Sequence, residues 1–135
     1  MWNDIEATTL PIRRADDVVV VRQHVRAVAI KAGLSLVDQT KIVTAASELA
    51  RNTLDYGGGG EVHVHRITDG GRQGVRLTFE DRGPGIPDIN LALKDGYTTG
   101  SGLGLGLSGA KRLSNDFSIE STVGVGTRIS IARWK

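Results

Sequence analysis

Between Ser35 and Glu80 the apolar residues change period once, and that change limits what the chain can fold into. Ile42, Ala45, Ala46, Leu49 and Leu54 recur at helical spacing, which places them on one stripe of a helix ending at Tyr56-Gly57. Beyond the glycines at 57–60, the segments Glu61 to Ile67 and Val75 to Glu80 alternate apolar and polar residues, as half-buried strands do. The link Thr68-Asp69-Gly70-Gly71 suits an antiparallel hairpin, because a parallel pair needs a crossover of about a dozen residues or more. A one-sided helix and a one-sided hairpin must bury their apolar faces against each other.

The rest of the chain extends this arrangement. An extended start covers Glu6 to Ile12. Asp16 or Asp17 is then placed to cap a helix through Val18, Val21, Val25, Val28 and Ala29 that stops at Gly33. The four consecutive valines favour a strand by propensity, but Arg22 and Arg26 fall opposite most of the apolar stripe, which selects the helix. Ser35-Leu36-Val37-Asp38 reads as a capping box for the next helix. A short helix is expected over Asp88 to Lys94 and another from about Leu105 to Leu113. Phe117 to Thr122 and Thr127 to Arg133 then close as a hairpin across Val123-Gly124-Val125-Gly126. The fold class is α+β: a two-layer sandwich of a mixed, mostly antiparallel sheet covered on one face by helices, rather than a parallel Rossmann sheet.

Composition narrows the chemistry. A chain of 135 residues fits one compact domain, taken as 1–135, that buries roughly two thirds of its unfolded surface. The net charge of +2 is a small surplus and disfavours a general nucleic-acid binder. The absence of cysteine removes disulfides, thiolate metal sites and thiol nucleophiles together, leaving oxygen and nitrogen groups to do the chemistry. Acidic residues stand where a signal peptide needs basic ones, and no apolar run is long enough to span a bilayer, so a cytoplasmic location without membrane contact is expected. Half of the 18 glycines sit at 57–60 and 100–109, which marks specialised loops rather than a flexible chain.

Three clusters carry candidate chemistry. Glu48 and Asn52 project from one helix face, one turn apart, and can meet one ligand. Glu80-Asp81-Arg82-Gly83-Pro84-Gly85-Ile86-Pro87 sets an acid just past a strand end, in a turn whose glycines permit close approach of a planar ligand and whose prolines make it rigid. Thr98-Thr99-Gly100-Ser101-Gly102-Leu103-Gly104-Leu105-Gly106-Leu107 runs into a helix start, where free backbone N–H groups suit phosphates. No Walker loop occurs, and the glycine patterns do not follow a strand of a βαβ unit.

Jointly and in this order, the clusters resemble the nucleotide-binding fold of the gyrase, Hsp90, histidine-kinase and MutL (GHKL) superfamily. Glu48-Leu49-Ala50-Arg51-Asn52 is similar to its N box, Asp81-Arg82-Gly83-Pro84-Gly85 to its G1 box, Gly102 to Leu107 to its G2 box, and Gly124-Val125-Gly126-Thr127 to its final glycine and threonine element. The likeness covers essentially the whole chain. Within the superfamily, Ser47 to Asn52, Glu80 to Ile89, Gly96-Tyr97-Thr98-Thr99 and Gly109 to Leu113 look most like the switch kinases of bacterial stressosomes, among the small anti-sigma and switch serine kinases.

The resemblance implies an ATP-dependent serine/threonine kinase acting on a STAS-domain protein in stress signalling, then engaging a second output partner such as a phosphatase. Asn52 would hold Mg²⁺, Asp81 would accept from the adenine amino group beside Gly83 and Gly85, and Glu48 would be the general base. Thr98, Thr99, Gly102, Gly104 and Gly106 would form a lid that nucleotide orders over the phosphates. Thr127 would lie near the adenine, and Arg22 would contact protein partners. One departure is that Asn52-Thr53 lacks the following histidine of several relatives. The alternative is a nucleotide-dependent binding switch or anti-sigma factor with little phosphotransfer, though retention of Glu48 favours the kinase. His63 and His65 share a strand face and could begin a metal site, but no third ligand is evident, so a solvated face is expected. Trp2 and Trp134 are expected to cover core edges.

Overall fold

A computed structural model describes residues 2–94 and 103–135, with the backbone alone for 103–105. The elements run β1 (Asn3–Ile12), α1 (Ala15–Lys31), α2 (Leu36–Asp55), β2 (Gly60–Asp69), β3 (Arg72–Asp81), α3 (Ile89–Ala92), α4 (Leu103–Arg112), β4 (Asp116–Thr122) and β5 (Gly126–Trp134). The strands form one sheet in the order β1-β2-β3-β5-β4. All four pairings are antiparallel, so the sheet is not mixed among the described residues.

The valine run resolves as a helix for the reason its arginines suggest. Val18, Val21, Val25 and Val28 are buried in α1, while Val19 and Val20 stay about half exposed. Ile42, Ala45, Ala46 and Leu49 of α2 join them over Val62, Val64, Leu77, Phe79, Ile129 and Ile131 of the sheet. Gly70 and Gly71 turn the β2–β3 hairpin with φ of 58° and 85°, the pair of positive angles a two-residue hairpin turn needs. Trp2 and Trp134 meet edge to face at 5.3 Å on the other face of the sheet, beside Ile67 and Ala132.

The strands run a little longer than expected from the sequence and α3 covers only Ile89–Ala92 of the expected Asp88 to Lys94, while three boundaries differ for a visible physical reason. The residue preceding α1 is Arg14 and Asp17 lies inside the first turn, where its carboxylate accepts from the N–H groups of Arg13 at 2.8 Å and Arg14 at 3.2 Å. The acid caps the helix by reaching back. Strand β1 begins at Asn3, carried outward by pairing of Asn3 with Thr68. Helix α4 begins at Leu103 and absorbs Gly104 and Gly106, since burial of Leu107 and Ala110 outweighs a helix cost of about 1 kcal/mol per glycine.

Candidate functional site

The last turns of α2, the end of β3, the turn after it and the start of β5 converge on one cleft. Asn52, Thr53 and Tyr56 line it from the end of α2, Phe79 and Asp81 of β3 with their cross-strand partners Ile129 and Thr127 of β5 line it from the sheet, and Ile86 completes it from the turn. Apolar side chains with a few convergent polar groups are the usual lining of a small-molecule site.

Asp81 is the polar centre. Its Oδ1 accepts from the Gly83 N–H at 2.8 Å, and cross-strand pairing with Thr127 brings a second backbone donor. Burial pushes the carboxyl above its ordinary range, while the Gly83 and Thr127 N–H groups pull it partly back. No cation figures among the influences on it within the described residues. The surrounding glycines explain how so much backbone closes around one carboxylate. A Cβ on Gly57 would lie 2.4 Å from Asp81 Cγ, and one on Gly83 would lie 2.7 Å from Gly57 Cα. Gly85, at φ 79°, is packed against Thr122 and Val123. The space that Gly83 and Gly85 leave is thus filled largely by the protein itself, and both act on the site by fixing Asp81 and its turn.

That turn is tied down on two sides. Tyr56 donates its hydroxyl to the Gly85 carbonyl at 2.8 Å, joining the end of α2 to it. On the other side, the Ile86 N–H donates to Ser121 Oγ at 2.7 Å, Ser121 Oγ lies 2.8 Å from Thr127 Oγ1, and the Gly124 N–H donates to the Pro84 carbonyl at 2.9 Å.

Asn52 stands on the α2 wall with its Nδ2 buried and without a hydrogen-bond partner in the described structure. Gly106 of α4 is pressed against it, since a Cβ there would lie 2.7 Å from Nδ2. A buried, unsatisfied amide is costly by about 1–3 kcal/mol and fits a site that a polar ligand completes. Glu48 lies one turn earlier on α2, half-buried, and is not among the residues lining the cleft. Gly104 falls within α4. Thr98, Thr99 and Gly102 lie outside the described residues, as does most of the expected lid. Arg22 belongs to a different, shallow surface groove with Val19, Gln23, Arg26 and Val43.

This arrangement of helix amide, strand-end acid and glycine turn has counterparts. Residues 37–135 match the family described as histidine kinase-, DNA gyrase B-, and HSP90-like ATPase. The chain belongs to this family. It is 47% identical over 118 residues to the serine/threonine-protein kinase RsbT of Bacillus subtilis (strain 168), covering 87% of this chain and 89% of that one. It is 32% identical over 101 residues to an anti-sigma F factor of Bacillus licheniformis, covering 70% and 68%. The fold superposes with a TM-score of 0.67 and 20% identity on the crystal structure of the RsbU and RsbW domains of Rv1364c from Mycobacterium tuberculosis, over 96% of this chain and 33% of that one. Within the ATPase family, the chain stands with the serine/threonine protein kinases, and ATP is its nucleotide.

Sequence reasoning singled out Asn52, Asp81 and Thr127, which the fold brings to one cleft. It missed Tyr56, Gly57 and Ser121. Tyr56-Gly57 reads in sequence only as the end of a helix, and Ser121 only as one residue of an alternating strand. The cluster of glycines at 57–60 was the available signal, since a run that dense implies close approach of something.

Proposed function

We propose that the protein is a cytoplasmic, single-domain kinase that transfers the γ-phosphoryl group of ATP to a serine of a STAS-domain partner in bacterial stress signalling, then passes to a second partner such as a phosphatase. The observation that carries the nucleotide reading is Asp81: a half-buried carboxylate, held by backbone N–H groups, among apolar walls. Such an acceptor suits a neutral donor, and the adenine amino group is one. Gly83 and Gly85 keep the carboxylate in place, and Thr127 borders the base.

The unpartnered Asn52 Nδ2 would donate to a nucleotide oxygen, while the magnesium site that the family implies needs the other end of the amide. Asn52 would hold the ion through its oxygen, and a bound magnesium supplies charge neutralisation to the phosphates. Glu48, one turn away, would take the proton from the attacking serine hydroxyl. Thr98, Thr99 and Gly102, with Gly104 and Gly106 of α4, would enclose the phosphates. Arg22 and its groove would receive the folded partner, so that substrate choice comes from docking. Phosphorylation then adds about −1.5 to −2 charges beside Glu48, and repulsion releases the product.

Likeness to an anti-sigma F factor supports a second reading, in which nucleotide-dependent holding of a partner is the main work and transfer is minor. Incubation with Mg-ATP and a STAS-domain protein, followed by phosphosite mapping, separates the two. Phosphoserine on the STAS domain is the expected result. Stable, nucleotide-dependent binding without phosphorylation would replace the kinase reading with the switch.

A further inference from the structure

We propose that the open face of the sheet carries a zinc-type divalent metal site built from Glu61, His63 and Glu80. Glu61 and His63 lie two residues apart on β2, and Glu80 of β3 is the direct cross-strand partner of Glu61. Like charges placed directly opposite destabilise a strand pair; Arg128, 3.3 Å from Glu80, offsets part of that repulsion, and a cation between the two acids would offset the rest. His63 Nε2 faces both acids, 3.7 Å from Glu61 Oε1 and 3.8 Å from Glu80 Oε2, and ligand atoms from all three residues lie within 4.8 Å of one another. These separations exceed a hydrogen bond. Two metal–ligand bonds of about 2.0–2.2 Å at a tetrahedral angle span about 3.3–3.6 Å, so small rotations of half-exposed carboxylates close the set around an ion.

The outer contacts already orient the ligands. His63 Nδ1 lies 2.8 Å from Thr9 Oγ1. Donation of Nδ1–H to that hydroxyl leaves the Nε2 lone pair directed at the acids, as in metal-bound histidines whose second nitrogen is anchored. Arg128 Nε holds Glu80 Oε1 at 3.3 Å and leaves Oε2 toward His63. One imidazole and two carboxylates suit Zn²⁺ better than Mg²⁺ or Ca²⁺, which prefer oxygen alone. The site is distinct from the Asn52 side of the cleft. Glu80 immediately precedes Asp81, so an ion here would brace the outer face of the strand end whose inner face carries the nucleotide acid.

The test is calorimetric titration of nucleotide-free, chelator-treated protein with ZnCl₂ at neutral pH, with MgCl₂ in a parallel arm. One-site zinc binding is expected, with at least tenfold loss in Glu61→Gln and in His63→Ala, about tenfold loss in Thr9→Val, and no change in His65→Ala on the same strand face. Circular dichroism checks folding. Should His63→Ala fail to fold, Glu61→Gln decides, because Glu61 is about half exposed. Absence of zinc binding, equal binding by Glu61→Gln and wild type, an equal loss in His65→Ala, or magnesium binding as tight as zinc would each overturn the proposal.

Discussion

The two ends of α2 hold an aspartate in opposite circumstances. At the N-terminal end, the Asp38 N–H donates to Ser35 Oγ at 3.1 Å, and its carboxylate takes Arg133 Nη2 at 2.8 Å and Nε at 3.2 Å. The Arg133 guanidinium holds Asp38 below the ordinary carboxylate range and ties α2 to β5. At the C-terminal end, the helix faces Asp81, which burial pushes upward and which, among the described residues, is held by backbone donors rather than by a guanidinium. One acid is satisfied by the fold. The other is left with capacity for something the fold does not supply. Partnered charge marks what stabilises this molecule, and incompletely partnered charge marks where a ligand belongs.

Substitutions at the two ends should therefore separate function from stability. The largest effect is expected at Glu48→Gln, which should lower phosphotransfer about 10²- to 10⁴-fold while Mg-ATP binding persists. Transfer within about threefold of wild type in a single-turnover assay would remove Glu48 as the base. Asn52→Ala comes next, weakening Mg-ATP by roughly 10- to 10²-fold, on the scale of one charge-assisted contact, and metal-free ATP much less. An equal loss for both would count against Asn52 as the magnesium ligand.

At the opposite end, Asp38→Asn should cost about 1.5–3 kcal/mol in denaturant unfolding and leave ATP affinity unchanged. Its pH dependence follows from sign. The folded-state pKa of Asp38 is depressed, so its contribution is present above the ordinary carboxylate value and lost as pH falls through the lowered one. The variant should therefore lose stability less steeply in acid. Asp81 has the reverse sign: its raised folded-state pKa makes the protein less stable as pH rises from the ordinary carboxylate value through the raised one. On stability, Asp81→Asn should accordingly give the smallest effect, a modest rise in the melting temperature of the nucleotide-free protein near neutral pH that shrinks in acid. A fall would mean that the carboxylate contributes more to the fold than burial removes.

Most of the fold was legible because periodicity and glycine punctuation agree. The valine run of α1, the capping serine of α2 and the Gly70-Gly71 hairpin each has a local physical cause visible in the residues. The site was legible where polar residues stand at an element end, as at Asn52 and Asp81. It was not legible where a role comes from distant segments meeting. Gly57 is needed because Asp81 occupies the space of its missing Cβ, Tyr56 because its hydroxyl reaches Gly85, and Ser121 because it bridges Ile86 to Thr127. The third metal ligand beside His63 was hidden likewise, since the pairing of Glu61 with Glu80 follows from hairpin register, not from spacing along one strand. Glycines in α4 misled in the other direction: their low helix propensity put the helix start at Leu105 instead of Leu103, where packing overrides it.

Calorimetric titration of ATP into wild type and Asp81→Asn tests whether Asp81 is an acid kept for the adenine base. Saturable ATP binding is expected of the wild type and a loss of about 10²-fold or more in the variant, whose fold is retained and whose melting temperature does not fall. Near-equal affinity in the two proteins would contradict it.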